Sequence, residues 1–193
     1  MCAGLVLFGL ALALLVKANL GLDPWDVFNQ GVSRRTGLSL GTVTVVTSVV
    51  VMLAWLPLRQ RPGLGTVGNA VVVGPVLDLG LGLLPAPDLW VGRAAFLVAA
   101  ILGVAVATGL YVGAGWGPGP RDGLMTGLAD KGMPLFAARA AIEVTVLVVG
   151  WALGGDVGIG TALFALAIGP LVAVSLRHLS VSPPQRWLET TRR

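Results

Sequence analysis

Long apolar runs separated by short polar clusters dominate the chain. Six runs are long enough, or nearly so, to cross a hydrocarbon core about 30 Å thick as helices rising about 1.5 Å per residue. Lipid offers the backbone no hydrogen-bond partners, and the alternating pattern of a membrane barrel is absent, so the sequence predicts an all-helical membrane protein with six transmembrane helices. The runs are about Ala3–Ala18, Leu40–Leu58, Thr66–Leu84, Arg93–Val112, Leu135–Leu153 and Thr161–Leu176.

Composition strengthens the membrane assignment. The 193 residues are 55% hydrophobic and 11% charged, whereas soluble proteins carry about 25% charged residues. The lipid bilayer is therefore the first expected partner, and no separate soluble domain fits. The net charge of +4 does not indicate a nucleic-acid partner, because the basic residues lie at the ends of apolar runs. No basic region precedes the first run, which we expect to stay as a helix rather than be cleaved.

The basic residues also predict an orientation. With both termini in the cytoplasm, the inner side holds more Lys and Arg than the outer side, as the positive-inside rule requires. The inner residues are Arg59, Arg61, Arg121, Lys131, Arg139, Arg177, Arg186, Arg192 and Arg193, and the outer ones are Lys17, Arg34, Arg35 and Arg93. All six tryptophans fall at or just beyond the ends of apolar runs, which favours the membrane interface. They are Trp25, Trp55, Trp90, Trp116, Trp151 and Trp187.

The two halves of the chain align at an offset of 95 to 96 residues. Each half contains three predicted spans, and an odd number of spans makes the second copy enter the membrane from the opposite side. The sequence therefore predicts a 3+3 inverted-topology repeat: residues 1–91, residues 92–179 and a cytoplasmic basic tail at 180–193. The aligned landmarks are Pro24-Trp25-Asp26 with Pro120-Arg121-Asp122, Trp55 with Trp151, Gly63-Leu64-Gly65-Thr66 with Gly158-Ile159-Gly160-Thr161, and Gly74-Pro75 with Gly169-Pro170.

Several of these landmarks resemble a known family. The residues are Gly21-Leu22-Asp23-Pro24-Trp25-Asp26, Gly65-Thr66, Gly74-Pro75 and Gly117-Pro118-Gly119-Pro120-Arg121-Asp122-Gly123. Over nearly the whole chain they are similar to the YczE/YyaS/YitT-type bacterial membrane proteins. This resemblance implies a multi-pass protein of the bacterial plasma (inner) membrane, whose larger relatives carry a cytoplasmic C-terminal domain. It implies no settled activity and assigns no functional residues.

Two short segments, about Pro24–Thr36 and Pro120–Gly132, are too short to cross the membrane. A proline suits the first position of a helix, so Pro24 and Pro120 predict two short helices that begin there. In each, Asp23 or Gly119 would be the cap and a carboxylate, Asp26 or Asp122, would stand at the third helical position.

Two interpretations of these aspartates stay open. In the structural one, each carboxylate reaches back to its own capping amide and complements the positive end of its helix. In the functional one, both short helices are re-entrant and present their starts and carboxylates to a central cavity, as the broken helices of transporters do. The apolar spacing along the short segments also suits helices that lie in the interface.

Few polar side chains lie inside the predicted spans, where a charge is costly and usually faces protein or water. Arg139 and Glu143 are one turn apart and predict a local ion pair, although Glu143 is also deep enough to be a proton or cation site. For Asn69, an interhelical hydrogen bond is favoured over ligand contact. Asp78 is expected near the outer end of its span, with possible partners Lys17, Arg34 and Arg35.

The recurring Gly-Pro pairs, Gly74-Pro75 and Gly169-Pro170, are interpreted as kinks or close-packing points and as candidate hinges for alternating access. Other chemistry is sparse. A single cysteine, Cys2, and a single histidine, His178, provide no His/Cys metal cluster, and no phosphate loop or hydrolase motif is present. We therefore expect no enzyme activity, no metal and no cofactor.

The leading hypothesis is a small transporter or permease whose site lies between the two repeats, with a cationic or proton-coupled ligand slightly favoured by the number of carboxylates. The alternative is a non-transporting membrane partner or regulatory protein, and a homo-oligomer is compatible with both. The candidate substrate-binding residues are Asp26, Asp122, Glu143, Asn69, Asp78 and Arg139.

Overall fold

The computed structural model describes residues 1–180, which form helices and turns and no strand. The all-helical class is therefore confirmed for this part of the chain. The remainder of the predicted tail lies outside the described residues. The helices are α1 (Cys2–Ala18), α2 (Pro24–Thr36), α3 (Leu40–Leu53), α4 (Trp55–Leu58), α5 (Leu64–Leu83), α6 (Trp90–Val112), α7 (Pro120–Ala129), α8 (Leu135–Ala152) and α9 (Ile159–Leu179).

All six apolar runs of the sequence are helical, and α3 and α4 together form one of them. Five segments among residues 1–180 are long and apolar enough to cross a bilayer, whereas α1, at 17 residues, is shorter. The five are Leu40–Leu58, Leu64–Leu83, Trp90–Val112, Leu135–Ala152 and Ile159–Leu179.

The core is built around α1 and α6, which pack along each other, while α1 also contacts α5 and α6 also contacts α9. Small residues allow this close approach, as is usual between helices in membranes. A Cβ atom placed on Gly4 would lie 3.0 Å from the carbonyl oxygen of Ala107, and one on Gly103 would lie 2.9 Å from Cβ of Ala11. A side chain at Gly4 or Gly103 would therefore prevent α1 and α6 from packing this closely.

The short helices begin at Pro24 and Pro120, as predicted. Before each of them the chain turns at a glycine with positive φ, 105° at Gly21 and 114° at Gly117. Residues with a Cβ atom rarely adopt this conformation. The Asp23 side chain caps α2 by accepting hydrogen bonds from the following amides, as the sequence predicts.

The turns before the short helices dock onto the starts of α5 and α9 in a reciprocal way. The amide of Gly65 donates to the carbonyl of Trp116 at 2.8 Å, and the amide of Gly160 donates to the carbonyl of Leu20 at 2.7 Å. The last long helix of each half, α5 in the first and α9 in the second, therefore begins against a turn of the other half. The residues that the sequence alignment pairs make equivalent contacts.

The contact between α3 and α5 corrects the interpretation of Asp78. Its carboxylate accepts hydrogen bonds from the Ser39 hydroxyl at 2.6 Å and from the Gly41 amide at 2.8 Å. Lys17, Arg34 and Arg35 are not its partners. The start of α3 has unpaired amides that a carboxylate satisfies, so Asp78 fastens α5 to α3 instead of forming an ion pair.

The two Gly-Pro pairs differ in their surroundings, although both α5 and α9 continue through their prolines, Pro75 and Pro170. A Cβ atom on Gly74 would lie 2.4 Å from the carbonyl oxygen of Gly41, whereas one on Gly169 would meet nothing within 4 Å. Close packing is therefore observed at Gly74 and not at Gly169, where the interpretation as a kink stays a prediction.

This difference predicts opposite outcomes for two matched substitutions. We expect Gly74→Ala to destabilise the protein by about 1–3 kcal/mol, because the added methyl group forces α5 away from α3. Gly169→Ala should be neutral or slightly stabilising, since alanine is the better helix former. Thermal unfolding of the purified protein in detergent measures both, and equal effects would contradict the packing described here.

Candidate functional site

A cavity of about 130 Å³ lies between the helices, and eight of the nine helices, all except α4, contribute to its wall. The wall reaches the middle of several long helices. Val73 is the tenth of 20 residues in α5, Glu143 the ninth of 18 in α8, and Ile168 the tenth of 21 in α9. The charged residues on the wall are Asp23, Arg121, Asp122, Arg139 and Glu143.

An ion-pair cluster joins the starts of α2 and α7 beside this cavity. Nη2 of Arg121 lies 3.2 Å from Oδ1 of Asp26, and Nη1 lies 3.6 Å from Oδ1 of Asp23. The guanidinium also lies over the ring of Trp25, with 5.2 Å between Cζ and the ring centroid, a cation–π arrangement. The sequence alone indicates only a role in topology for Arg121, whereas the structure shows that it is also the charged partner of buried carboxylates.

The structural interpretation, in which Asp26 reaches back to its own capping amide, is wrong, because the Asp26 carboxylate contacts other partners. Instead Oδ1 of Asp26 accepts from Nδ2 of Asn29 at 3.2 Å as well as from Arg121, and Nδ2 of Asn29 also lies 3.3 Å from the Thr44 hydroxyl. Asp26 and Asn29 are fully buried. Their other oxygens, Oδ2 of Asp26 and Oδ1 of Asn29, have no hydrogen-bond partner within residues 1–180.

A second group of charges faces the same cavity from α7 and α8. The hydroxyl of buried Tyr111 lies 3.3 Å from Oδ2 of Asp122. The predicted pair of Arg139 and Glu143 is confirmed, with 2.9 Å between Nε and Oε1. The side chain of Arg139 is 44% exposed and that of Glu143 is 25% exposed, so this end of the cavity is the more open one.

Two tryptophans that the sequence places at the membrane interface are buried in the protein. Nε1 of Trp55 donates to the carbonyl of Pro120 at 3.0 Å, and the indole ring occupies the space beside Gly123 that a side chain would fill. Trp25 lies under Arg121. For Trp25 and Trp55 the interfacial interpretation is wrong, because the indoles hold the starts of α2 and α7 in place.

The cavity brings together four of the predicted site residues, and a fifth contacts it indirectly. Asp122, Glu143, Asn69 and Arg139 line the wall, and Asp26 lies behind it, in contact with Arg121. The expected interhelical hydrogen bond of Asn69 is not formed within residues 1–180, because the side chain faces the cavity. Asp78 and both Gly-Pro pairs lie elsewhere.

Sequence reasoning missed Arg121, Tyr111 and Thr44 as site residues. One signal was present for Arg121. It occupies the position aligned with Trp25, between a helix-starting proline and an aspartate, and an arginine that enters the protein at such a place requires carboxylates nearby. No comparable signal marks Tyr111 or Thr44, whose roles depend on contacts between distant helices.

The far end of α2 is held by a surface ion pair. Nη2 of Arg34 lies 2.6 Å from Oδ2 of Asp156, in the connection between α8 and α9. Hydrogen bonding from Arg34 lowers the pKa of the Asp156 carboxyl below its ordinary value of 3.8, and Gln30 adds a further hydrogen bond. Both ends of α2 are therefore attached to the second half of the chain.

The buried cluster predicts strong coupling between Arg121 and Asp26. Arg121→Gln should destabilise the protein by about 3–5 kcal/mol, because it leaves two buried carboxylates without a positive charge. Asp26→Asn should cost less, because Asp23 still pairs with Arg121. The double variant should lose clearly less than the sum of the two single losses. Thermal unfolding of the wild type, the two single variants and the double variant in detergent gives a double-mutant cycle. Additive losses of stability would show that the two side chains do not interact.

The surface pair predicts a pH dependence that Asp156→Asn removes. Because the pKa of Asp156 is lowered in the folded protein, the pair stabilises the protein above pH 3.8 and loses its effect as the pH falls through the lowered pKa. The melting temperatures of wild type and Asp156→Asn should differ at pH 7 and converge below about pH 4. As a control, Asp88→Asn, at an exposed carboxylate, should give no such convergence. A constant difference down to pH 3 would argue against the pair.

Comparison with known proteins finds relatives of unknown function, one of which is described as a membrane protein. Residues 1–177 match the model of a family of unknown function, DUF6198. The chain is similar to an uncharacterized protein of Haemophilus influenzae, with 36% identity over 93% of this chain and 83% of that protein. It is also similar to the uncharacterized membrane protein YczE of Bacillus subtilis, with 33% identity over 90% of this chain and 82% of YczE.

The uncharacterized protein YyaS of Bacillus subtilis is 27% identical over 89% of this chain and 88% of YyaS. No solved structure matches the chain. The YczE/YyaS resemblance read from the sequence is thereby confirmed, and the protein is a multi-pass helical membrane protein. From these matches, the chain belongs to the DUF6198 family of unknown function.

Proposed function

We propose that this protein is a small transporter of the bacterial plasma membrane, built as a 3+3 inverted repeat with both termini in the cytoplasm, whose site is the central cavity. The single observation that carries the proposal is the ion pair between Arg121 and Asp26. These residues belong to the two short helices, which stand at aligned positions of the two halves.

The geometry of that pair favours re-entrant over interfacial helices. Three spans lie between α2 and α7, so in a six-span topology the two short helices approach from opposite membrane faces. An extended arginine side chain reaches about 7 Å at about 1.5 Å per bond, whereas the hydrocarbon core is about 30 Å thick. In this topology, an ion pair of 3.2 Å could not join two helices lying on opposite faces, which supports the proposal that their starts meet inside the membrane.

The reciprocal contacts support the inverted arrangement. The start of α5 docks on the turn before α7, and the start of α9 docks on the turn before α2, through aligned glycine amides. Such an exchange between halves is expected of two copies related by a pseudo-two-fold axis in the membrane plane. In this arrangement α1 is the sixth span, its length completed by the turn that follows it.

The charges of the site favour a cationic or proton-coupled ligand. Four carboxylates, from Asp23, Asp26, Asp122 and Glu143, face or adjoin the cavity, against the two guanidinium groups of Arg121 and Arg139. Arg121 balances one of the two carboxylates at the start of α2, and Arg139 balances one of Asp122 and Glu143, so each group carries one acidic charge in excess. The excess at Asp122 and Glu143 is the more accessible one, because Glu143 is 25% exposed whereas Asp23 and Asp26 are buried. A small cation, or protons exchanged at these carboxylates, would neutralise it.

The proposed transport can be tested by recording currents from the reconstituted protein on a solid-supported membrane. We expect transient currents on jumps of methylammonium, guanidinium or protons. Asp122→Asn combined with Glu143→Gln should reduce them at least about tenfold, because the carboxylates that carry the accessible excess charge are removed. Asp88→Asn, at an exposed carboxylate away from the cavity, should leave the currents unchanged.

Two results would contradict the proposal. Currents that survive the double substitution would show that the site lies elsewhere. If folded wild-type protein gives no current with any probe and purifies with a stoichiometric partner, the protein is the non-transporting membrane partner that the sequence leaves as the alternative. The candidate hinges Gly74 and Gly169 would then have no role in alternating access.

A further inference from the structure

The two halves differ where their second and third long helices should meet. In the first half, Ser39, Gly41 and Asp78 fasten α3 to α5. At an offset of 95 residues, the second half has Pro134, Phe136 and Ala173 at these positions. Pro134 has no hydroxyl to donate and Ala173 has no carboxylate to accept, so these hydrogen bonds cannot form, and α8 packs on α2 and α7 rather than along α9.

This seam between α8 and α9 adjoins the cavity, whose lining includes residues of both helices. Arg139 and Glu143 of α8 form one side of the seam, and Phe164, Ile168 and Val172 of α9 form the other. Arg139 lies on the cavity wall and is nevertheless 44% exposed, so the wall is open beside it. Glu143 stands at the middle of α8 and is 25% exposed, so the opening reaches the depth of the hydrocarbon core and extends towards Arg139, one turn nearer the start of the helix.

A charged pair open to the hydrocarbon is energetically costly unless a polar group covers it. The molecules available at this depth are those dissolved in the bilayer, and an amphiphile can cover the charges with its head group while its chain stays in lipid. The charge of the opening selects the head group. Asp122 and Glu143 outnumber Arg139, so a protonated amine complements the site.

We propose that the seam between α8 and α9 is a lateral opening through which an amphipathic amine enters the cavity from the bilayer. Its ammonium group lies between Asp122 and Glu143, and its apolar chain lies along Phe164, Ile168 and Val172. The inference rests on the proposed function, because it assigns the substrate class and the route to the same cavity. It adds that the natural ligand reaches the site through lipid and not from water.

Photolabelling of the full chain in phosphatidylcholine nanodiscs tests this route. The probes are dodecylamine and dodecanol, each carrying a diazirine near the end of its chain. We expect the amine to label α8 and α9, and excess unlabelled dodecylamine to suppress the labelling while dodecanol does not. Asp122→Asn combined with Glu143→Gln should weaken labelling at least about tenfold, as expected for loss of charge-assisted hydrogen bonds.

A bulky residue placed in the seam should block the route. Gly169 aligns with Gly74, which faces α3 in the first half. The repeat therefore predicts that Gly169 faces α8. A side chain added at Gly169 meets nothing within 4 Å. We expect Gly169→Trp to reduce labelling by the long-chain amine about tenfold without reducing methylammonium currents. Gly82→Trp is the matched control, since a side chain there also enters open space. If Gly169→Trp does not fold, the comparison of amine and alcohol labelling of the wild-type protein still tests the route.

The outcomes separate this inference from the proposed function. Equal labelling by the alcohol, or labelling spread over all lipid-facing helices, overturns the lateral opening even if methylammonium currents are present. A crosslink from α8 to α8 of a second copy also overturns it, because the seam would then be a protein interface. Selective labelling of the seam without any current supports the amine site and overturns transport.

Discussion

The buried ion pair between Arg121 and the two aspartates at the start of α2 is the interaction on which the rest of the structure depends. Two carboxylates three residues apart repel each other and are costly to bury, and a guanidinium from the other half of the chain contacts both and reduces that cost. The surrounding contacts hold one partner or the other. Asn29 orients Asp26, and Trp55 fixes the backbone of α7 just before Arg121. The centre of the molecule is therefore polar, and the apolar helices enclose it.

The sequence predicted what depends on local chemistry. The apolar runs identified the long helices because hydrophobic length is a property of one segment. Pro24 and Pro120 marked the starts of the short helices through their backbone geometry, and the spacing of Arg139 and Glu143 was enough to predict their ion pair. The capping role of Asp23 followed from its place before a proline. Each of these features is determined within about one or two helical turns.

The features that the sequence did not predict depend on contacts between distant segments. An arginine in a short segment between apolar runs has the pattern of a topology signal, and its partners lie 95 residues or more away. A tryptophan near the end of a run suits the interface equally well, and only the absence of a side chain at Gly123 makes room for Trp55. Asp78 likewise had three basic residues as expected partners, whereas the amide and hydroxyl at the start of α3 lie closer to it.

The reciprocal docking of the two halves has a consequence for how the chain is made. The carbonyl of Leu20 and the amide of Leu22 find their partners at Gly160 and Asp156, more than 130 residues later in synthesis. While the ribosome is still producing the second half, the native partners of the turn before α2 have not yet been synthesised. The carboxylates at the start of α2 likewise lack their partner, Arg121. The contacts of α1 and α3 with α5 lie within the first half, whereas the turn before α2 can complete its native contacts only after the start of α9 has been made.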